Sequence, residues 1–440
     1  MRDLVLLAIL TACIPISFLR PYIGIFVWYW IGFMNPHRFT YGFMYSFPVA
    51  MGVGAATIAG SFLVRRKAPL LRSPEMVILL ILASLFTINT LFALFPTAWK
   101  EWDKAIKVLV MTFFTVMLID TRQKLRILVI VTVVSIGLVA AKGAIWGMFT
   151  SAQYRLWGPP GSFLEDNNSM ALALNMLLPM ALFLAKTEPS KKARLFFFGV
   201  FLCCMFSVFL TYSRGGLLGL LTVILILVYR ARRNIWLMLA TIAVFGLILT
   251  FIPSQWYDRM RTIQTYEQDE SAQGRLQTWG FAWQLALQRP LTGGGFEGFR
   301  ANPSDKNPHS IYFGILGEQG FIAFGFFIAL LLCCQMSLGR MEREARRRPE
   351  LRWYGDLAAM LRASLVGYMV SGTFLNLQYF DLFYLIVAIV AIMRYLIPRE
   401  EAPSAEALEP VPARRPVRWG PERVPEPAGG SVMGTSERLT

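Results

Sequence analysis

The sequence predicts an all-α integral membrane protein of about twelve transmembrane helices, with a long loop on one side that carries amphipathic helices. Three observations predict it. Of 440 residues, 55% are hydrophobic and only 16% charged. The apolar residues fall in blocks of roughly twenty, the number of helical residues that crosses a hydrocarbon core. Basic residues cluster in short loops that alternate with loops poor in Lys and Arg, the pattern of cytoplasmic and opposite-side loops. The length is used up by crossings and short connections, so one integral membrane domain is expected.

The first apolar segment, Val5 to Met34, is broken at Pro15 and at Arg20-Pro21. Its start, "MRDLVLLAILTACIPISF", has signal-peptide character, but another apolar stretch follows at once, so one retained, broken crossing is expected. Further spans are expected at 44–63, 75–95, 104–119, 127–149, 168–185, 195–212, 215–229, 235–252, 310–334, 357–373 and 381–397. The basic stretches "VRRKAPLLR" (64–72), "DTRQKLR" (120–126), "KTEPSKKAR" (186–194), "YRARRN" (229–234) and "GRMEREARRRPELR" (339–352) then share the cytoplasmic side. Both termini are expected there too. The division is 1–252, N-terminal transmembrane helices; 253–309, the long loop; 310–397, C-terminal transmembrane helices; and 398–440, a Pro-rich, charged tail expected to be disordered.

Two connections fall on the other side. Residues 150–167 are rich in Gly and Pro, and 253–309 far exceed the other loops in length, a mark of functional loops. Within the second, "PSQWYDRMRTIQTY" and "GRLQTWGFAWQLALQRP" have helical spacing of apolar residues, with Gly293 to Gly295 as a stop signal. Two amphipathic helices are expected, lying on the membrane or over a cavity.

The formal charge of +16 raises the question of nucleic acid. Its placement in short loops, with no basic face interleaved with aromatics, points to membrane lipids instead. Cys13, Cys203, Cys204, Cys333 and Cys334 lie in apolar segments without metal or redox spacing. "GGGFEG" (293–298) satisfies a dinucleotide-binding spacing but has no strand before it, and reads as a flexible loop hinge. "EQDE" (267–270) reads as solvated acids, and with only two histidines in the chain no metal site and no cofactor are expected.

The candidate chemistry gathers on the side away from the basic loops. Arg214, in the tight turn "TYSRGG", would be costly near hydrocarbon without a partner or a polar cavity, and Gly215 and Gly216 permit close approach to the backbone. Arg275 opens the second amphipathic segment with a planar fork suited to phosphate oxygens. His309 ends the long loop after Pro308 and can take a proton near neutral pH, which arginine cannot. Arg155, in the 150–167 connection, is a further phosphate candidate, and Lys142, Asn167 and Asn168 could line the same cavity. Glu318 lies inside a span, about 13 Å along a helix from His309, and reads as structural support with Arg362 as a partner. His37 reads as an interfacial polar residue.

"TYSRGG", "GRLQTWGFAWQLALQRPLTGGGF" and "NPHSIYFGILGEQGFIAF", in this order and around a long loop, resemble the O-antigen ligase superfamily over roughly residues 160–335. That family joins lipopolysaccharide O-antigen ligases, O-antigen polymerases and bacterial protein O-oligosaccharyltransferases. "WIGFMNPHRFTYGF" (30–43) is similar to a ligase subgroup associated with exosortase systems. The resemblance implies a GT-C-like glycosyltransferase of the bacterial inner membrane, acting at the periplasmic face without metal and with inversion. Its donor would be a glycan on undecaprenyl diphosphate. Its acceptor would be lipid A core or, in the related activities, protein Ser/Thr or another lipid-linked glycan. Arg214 and Arg275 match the arginines assigned to the donor diphosphate, and His309 the histidine proposed to activate the acceptor. A polysaccharide or lipid transporter is the alternative from another class, since such proteins also have about twelve spans.

Overall fold

The computed structural model describes residues 1–65, 67–231, 239, 243, 246, 270–304 and 306–400. Among them the chain is helical, with no strand. The expected span at 235–252, the first amphipathic segment, most of "EQDE" and the tail from 401 lie outside the described residues, apart from the three single positions. The long helices are α1 (Arg2–Leu19), α2 (Pro21–Met34), α3 (Val49–Ser61), α4 (Pro74–Leu91), α5 (Ala98–Leu118), α6 (Arg122–Phe149) and α7 (Asn167–Thr187). They continue as α8 (Lys191–Leu210), α9 (Arg214–Ala231), α10 (Glu270–Gln288), α11 (Ile311–Ala345), α12 (Arg352–Gly372) and α13 (Asp381–Glu400). Eight of these are long and apolar enough to cross a membrane.

Local chemistry sets many of the starts. Ser73, Thr121, Asp166 and Ser310 are N-caps whose side chains accept from backbone N–H groups of the first turn, which satisfies donors that a helix end leaves open. Pro74 and Pro21 stand at the first position of their helices, where a missing N–H costs nothing. α7 is the packing centre, buried along nearly its whole length against α6, α8, α9 and α12. Pro179 interrupts its hydrogen bonding, and the Ser364 hydroxyl donates to Met176 O in that turn at 2.6 Å.

The contacts define two ends. At one, Ala68 N–H meets Met117 O, Arg126 pairs with Glu188, and the Arg122 guanidinium lies 5.0 Å from the Trp353 ring centre. This end gathers the basic connections. At the other end, Asn167 donates to Thr211 O, Leu156 N–H to Leu210 O, and Leu94 N–H to Gly294 O.

The expected single broken crossing over residues 4–34 is corrected to two helices. Ile14 sits beside Gly52 and Phe18 beside Gly60, so α1 runs parallel to α3; Gly24 beside Thr57 and Trp28 beside Gly54 set α2 against both. The reason is Arg20, whose non-helical φ of −133° stops α1 just where Pro21 can start a new helix. Asp3 accepts from the backbone N–H of Gly42 and Met44, tying the chain start to the segment after α2. The N-terminus therefore lies at the end away from the basic loops, which does not fit a pair of termini on the basic side.

Two further expectations change. The basic stretch from Gly339 begins as helix, because α11 continues to Ala345 before the chain turns. Arg362 pairs with Glu342 at 2.8 Å rather than with Glu318, and Arg230 and Arg346 join the same carboxylate. An acid one helical turn from the basic end is the nearer partner, and Glu318 sits at the other end of α11.

α11 breaks at Gly320, with φ +74° and ψ −179°, and the break organises its surroundings. Gly294 N–H donates to Gly317 O at 2.9 Å, Gly295 N–H to Glu318 O at 2.8 Å, and Asn89 Nδ2 to Gln319 O at 2.9 Å. Phe321 N–H in turn donates to Pro290 O at 2.9 Å. The "GGGFEG" stretch is thus no hinge: a Cβ at Gly293 would stand 2.5 Å from the Glu318 backbone carbon, so glycine is what allows the docking. α10 ends at Gln288, five residues before the glycines expected to stop it. A Cβ at Gly320 would stand 2.7 Å from Pro290 O, in a backbone region open to glycine alone. Gly320→Ala is expected to destabilise the protein by about 2 kcal/mol or more, read as a lowered thermal midpoint in detergent; an unchanged midpoint would show that the docked loop bears no strain.

Candidate functional site

α10 packs along α11, and this pairing positions the end of the long loop. Ala282, Leu285 and Ala286 are buried, while Leu276, Trp283 and Leu287 remain exposed on another flank, which is the amphipathic pattern expected. Trp279, one turn after Arg275, does two things. Its ring stacks on Phe313 with centroids 4.9 Å apart, and its Nε1–H donates to Pro308 O at 2.7 Å. The residue before His309 is therefore fastened to the helix that carries Arg275.

His309 itself has φ +42°. A left-handed backbone at a residue other than glycine costs about 1–2 kcal/mol, and such strain persists only where its surroundings enforce it. Here they do: Trp279 holds Pro308 on one side and Ser310 caps α11 on the other. The turn leaves the imidazole exposed. Even so, the protein around the ring displaces enough water to lower its pKa. The Arg275 guanidinium lowers it further, and Asp166 pulls it back.

Asp166 connects this pair to the rest. It caps α7 by accepting from Asn168 N–H and Ser169 N–H, each at 3.0 Å. Asn168 Oδ1 accepts from the Ser213 hydroxyl at 2.7 Å, and Ser213 Oγ accepts from Gly216 N–H at 3.0 Å. Arg214 follows Ser213 directly and starts α9, half-buried. Arg155 lies across the same turn, its guanidinium 5.9 Å from the Tyr212 ring centre, and is exposed. Tyr212 has φ +55° and donates its hydroxyl to Ala152 O at 2.7 Å, pinning the 150–167 connection to the turn.

The structure thus brings His309, Arg275, Asp166, Asn168, Arg155 and the Ser213–Arg214 turn to one end of the helices. Asn167 is buried and serves the scaffold through its bond to Thr211 O. Lys142 stands apart, exposed, with its ammonium 5.0 Å from the Phe39 ring centre. Glu318 Oε2 accepts from Tyr379 Oη at 2.9 Å and from Gln378 Nε2 at 3.2 Å, facing a separate cavity. His37 is half-buried on the short Pro36–Phe39 turn, where burial and Arg38 lower its pKa.

Sequence reasoning missed Asp166 and Ser213. A signal existed for the first: Asp followed by "NNS" before an apolar run marks a helix N-cap. Nothing in the sequence places that cap beside His309. The electrostatics predict that Arg275→Gln raises the His309 pKa, because a repelling charge is removed. Asp166→Asn, which keeps a capping side chain, lowers it further. With only two histidines in the chain, an NMR titration of histidine-labelled protein in a His37→Gln background reads both shifts; no movement in either variant would place the two charges too far away to matter.

Residues 198–328 match the model of a family described as O-Antigen ligase, and residues 1–189 match a family of unknown function, DUF5935. No curated protein matches the chain. The first match contains Arg214, Arg275 and His309, and the second contains Arg155, Asp166 and Asn168, so the cluster is assembled from both. Over residues 198–328 the chain carries a domain of the O-antigen ligase family.

Proposed function

We propose that the protein is an O-antigen ligase, an inverting and metal-independent glycosyltransferase that moves a glycan from undecaprenyl diphosphate to lipid A core at the periplasmic face of a bacterial inner membrane. The observation that carries the reading is that His309 lies within electrostatic reach of both Arg275 and Asp166, at the end that carries the Ser213–Arg214 turn and away from the basic loops. Basic loops mark the cytoplasmic side, so this end faces the periplasm. No nucleotide triphosphate supplies energy there. It must arrive in the donor, and a diphosphate leaving group carries it.

In the reaction, the acceptor oxygen bonds to the anomeric carbon as the bond from that carbon to the diphosphate oxygen breaks. The electron pair leaves with undecaprenyl diphosphate. Arg214 and Arg275, with Arg155 at the exposed rim, neutralise the charge that develops on it. His309 takes the acceptor proton from the opposite face of the sugar. Its lowered pKa favours the neutral ring, the form able to accept a proton, at neutral pH. Arg275 therefore has two effects: it attracts the diphosphate, and it keeps the neighbouring base unprotonated.

The test uses purified full-length protein in nanodiscs with an undecaprenyl-diphosphate glycan, EDTA and no nucleotide. Lipid A core, a second donor molecule and a Ser/Thr-rich protein are offered in parallel. Transfer to lipid A core is expected to persist in EDTA and to fall about 10²- to 10⁴-fold in His309→Ala. Arg214→Ala and Arg275→Ala are expected to lose about 10²- to 10³-fold each. Transfer to the second donor or to the protein would make the enzyme a polymerase or a protein oligosaccharyltransferase. Translocation of the donor without transfer to any acceptor would make it a transporter.

A further inference from the structure

A cavity of about 360 Å³ lies beside the His309 loop, and none of His309, Arg155, Arg214 and Arg275 lines it. That volume is in the range of small-molecule pockets, about 300–1,000 Å³. It forms between the start of α5, the loop after α10, the first half of α11 and the connection from α12 to α13. Asn307, one of its lining residues, is two positions from His309, at most about 7 Å of extended chain. Phe163, on the loop that carries Arg155 and Asp166, stands at its edge and is 37% exposed.

The polar groups of this cavity have unused capacity. Glu318 already commits its carboxylate to Tyr379 and Gln378, so the open acceptors are amide oxygens beside it. Gln378 is 3% exposed, yet its Oε1 has no partner, and neither has Asn376 Oδ1. Buried acceptors left open cost free energy, which a ligand rich in hydroxyl or amine donors would recover. The charge is as informative. Glu101, Glu297 and Glu318 line the cavity with Arg300, and two of the three are paired, Glu101 with Lys104 at 2.6 Å and Glu297 with Arg300 at 3.1 Å. The Thr97 hydroxyl, Arg300 and Lys104 hold the Glu297 carboxyl below its ordinary pKa against the opposing effect of burial, so it is ionised at neutral pH. With Arg300 committed to Glu297 and acceptors left open, the wall offers few hydrogens to the oxygens of a phosphate or a uronate, which can only accept. Acceptors of hydrogen bonds beside an accessible aromatic face suit the hydroxyls and the apolar C–H face of a pyranose.

We infer that this cavity is a subsite for a neutral or amine-bearing sugar residue of the acceptor. The assignment to the acceptor rests on the transferase reading above. Arg155 and Arg214 lie at the Ser213–Arg214 turn, and neither they nor Arg275 lines the cavity, whose open groups are acceptors that a diphosphate cannot satisfy. The sugar that carries the attacking hydroxyl then sits across the histidine from the leaving group. The same geometry favours a saccharide over a polypeptide as acceptor and disfavours one whose accepting sugar is acidic.

Two measurements on the full chain in nanodiscs test this. Saturation-transfer NMR with free chitotriose, deacetylated chitotriose and trigalacturonate reads binding without turnover. Signals are expected from the first two and not the third, to be lost in both Glu318→Gln and Phe163→Ala, and to survive in His309→Ala. Equal binding of trigalacturonate, absence of signal from every saccharide, or signals unchanged in both cavity variants would overturn the subsite. Transfer kinetics with lipid A core supply the second reading. Phe163→Ala, at an exposed position, is expected to raise the acceptor KM about tenfold while leaving kcat and the donor KM near wild type. A raised donor KM with an unchanged acceptor KM would overturn the acceptor assignment. Failure of transfer in the wild type, with the NMR pattern as expected, would remove the enzymatic reading and leave a sugar-binding cavity.

Discussion

A backbone polar group inside a membrane must find its partner within the protein, and the break in α11 at Gly320 shows how much follows from that constraint. The break leaves helical carbonyls at Gly317, Glu318 and Gln319 open, and Gly294, Gly295 and Asn89 supply the donors. To bring the two glycine N–H groups there, the loop after α10 must dock against α11 with a closeness that excludes side chains. The docked loop fixes the end of α10, α10 carries Arg275 and Trp279, and Trp279 holds Pro308 beside His309. A hydrogen-bonding requirement near one end of a span is thereby passed, through one loop and one helix, to the placement of the candidate base.

The electrostatics of the cluster serve two opposing demands. Cations suit a diphosphate, but each cation near His309 makes its protonated form less favourable. That is an advantage for a residue that must accept a proton, and a disadvantage once it has done so. Asp166 moderates the effect from the other side, while its carboxylate oxygens also cap α7. Because the same carboxylate holds Asn168, and Asn168 holds Ser213, the tuning of the histidine and the position of Arg214 depend on one N-cap.

Much of this was legible in the residues. Ten expected spans coincide with helices because runs of apolar residues bounded by Ser, Thr, Asp or Pro encode helix and cap together. Arg214, Arg275 and His309 were legible by residue type, by their motifs and by the alternation of basic loops. The first 34 residues misled, since an apolar run with a proline pair of breaks reads equally well as one kinked span or as a hairpin. The packing of α1 and α2 against α3, with Asp3 bound to the segment after α2, decides it. Glu318 and Arg362 misled in a similar way: opposite charges in two spans suggest a pair, but sequence carries no depth, and Arg362 lies near Glu342.

What the sequence by itself determined is the class of the protein, the position of most of its helices, the division into a basic and a non-basic end and the chemical types that gather at the latter. Those follow from local rules, in which composition, capping and charge act over a few residues. The tertiary structure alone decided which acid faces His309, that the glycine stretch is a plug and not a hinge, and that Glu318, Gln378 and Tyr379 surround a cavity of their own. These are interactions between residues 23 to 143 positions apart, set by how helices and loops pack, and local sequence carries no record of that packing.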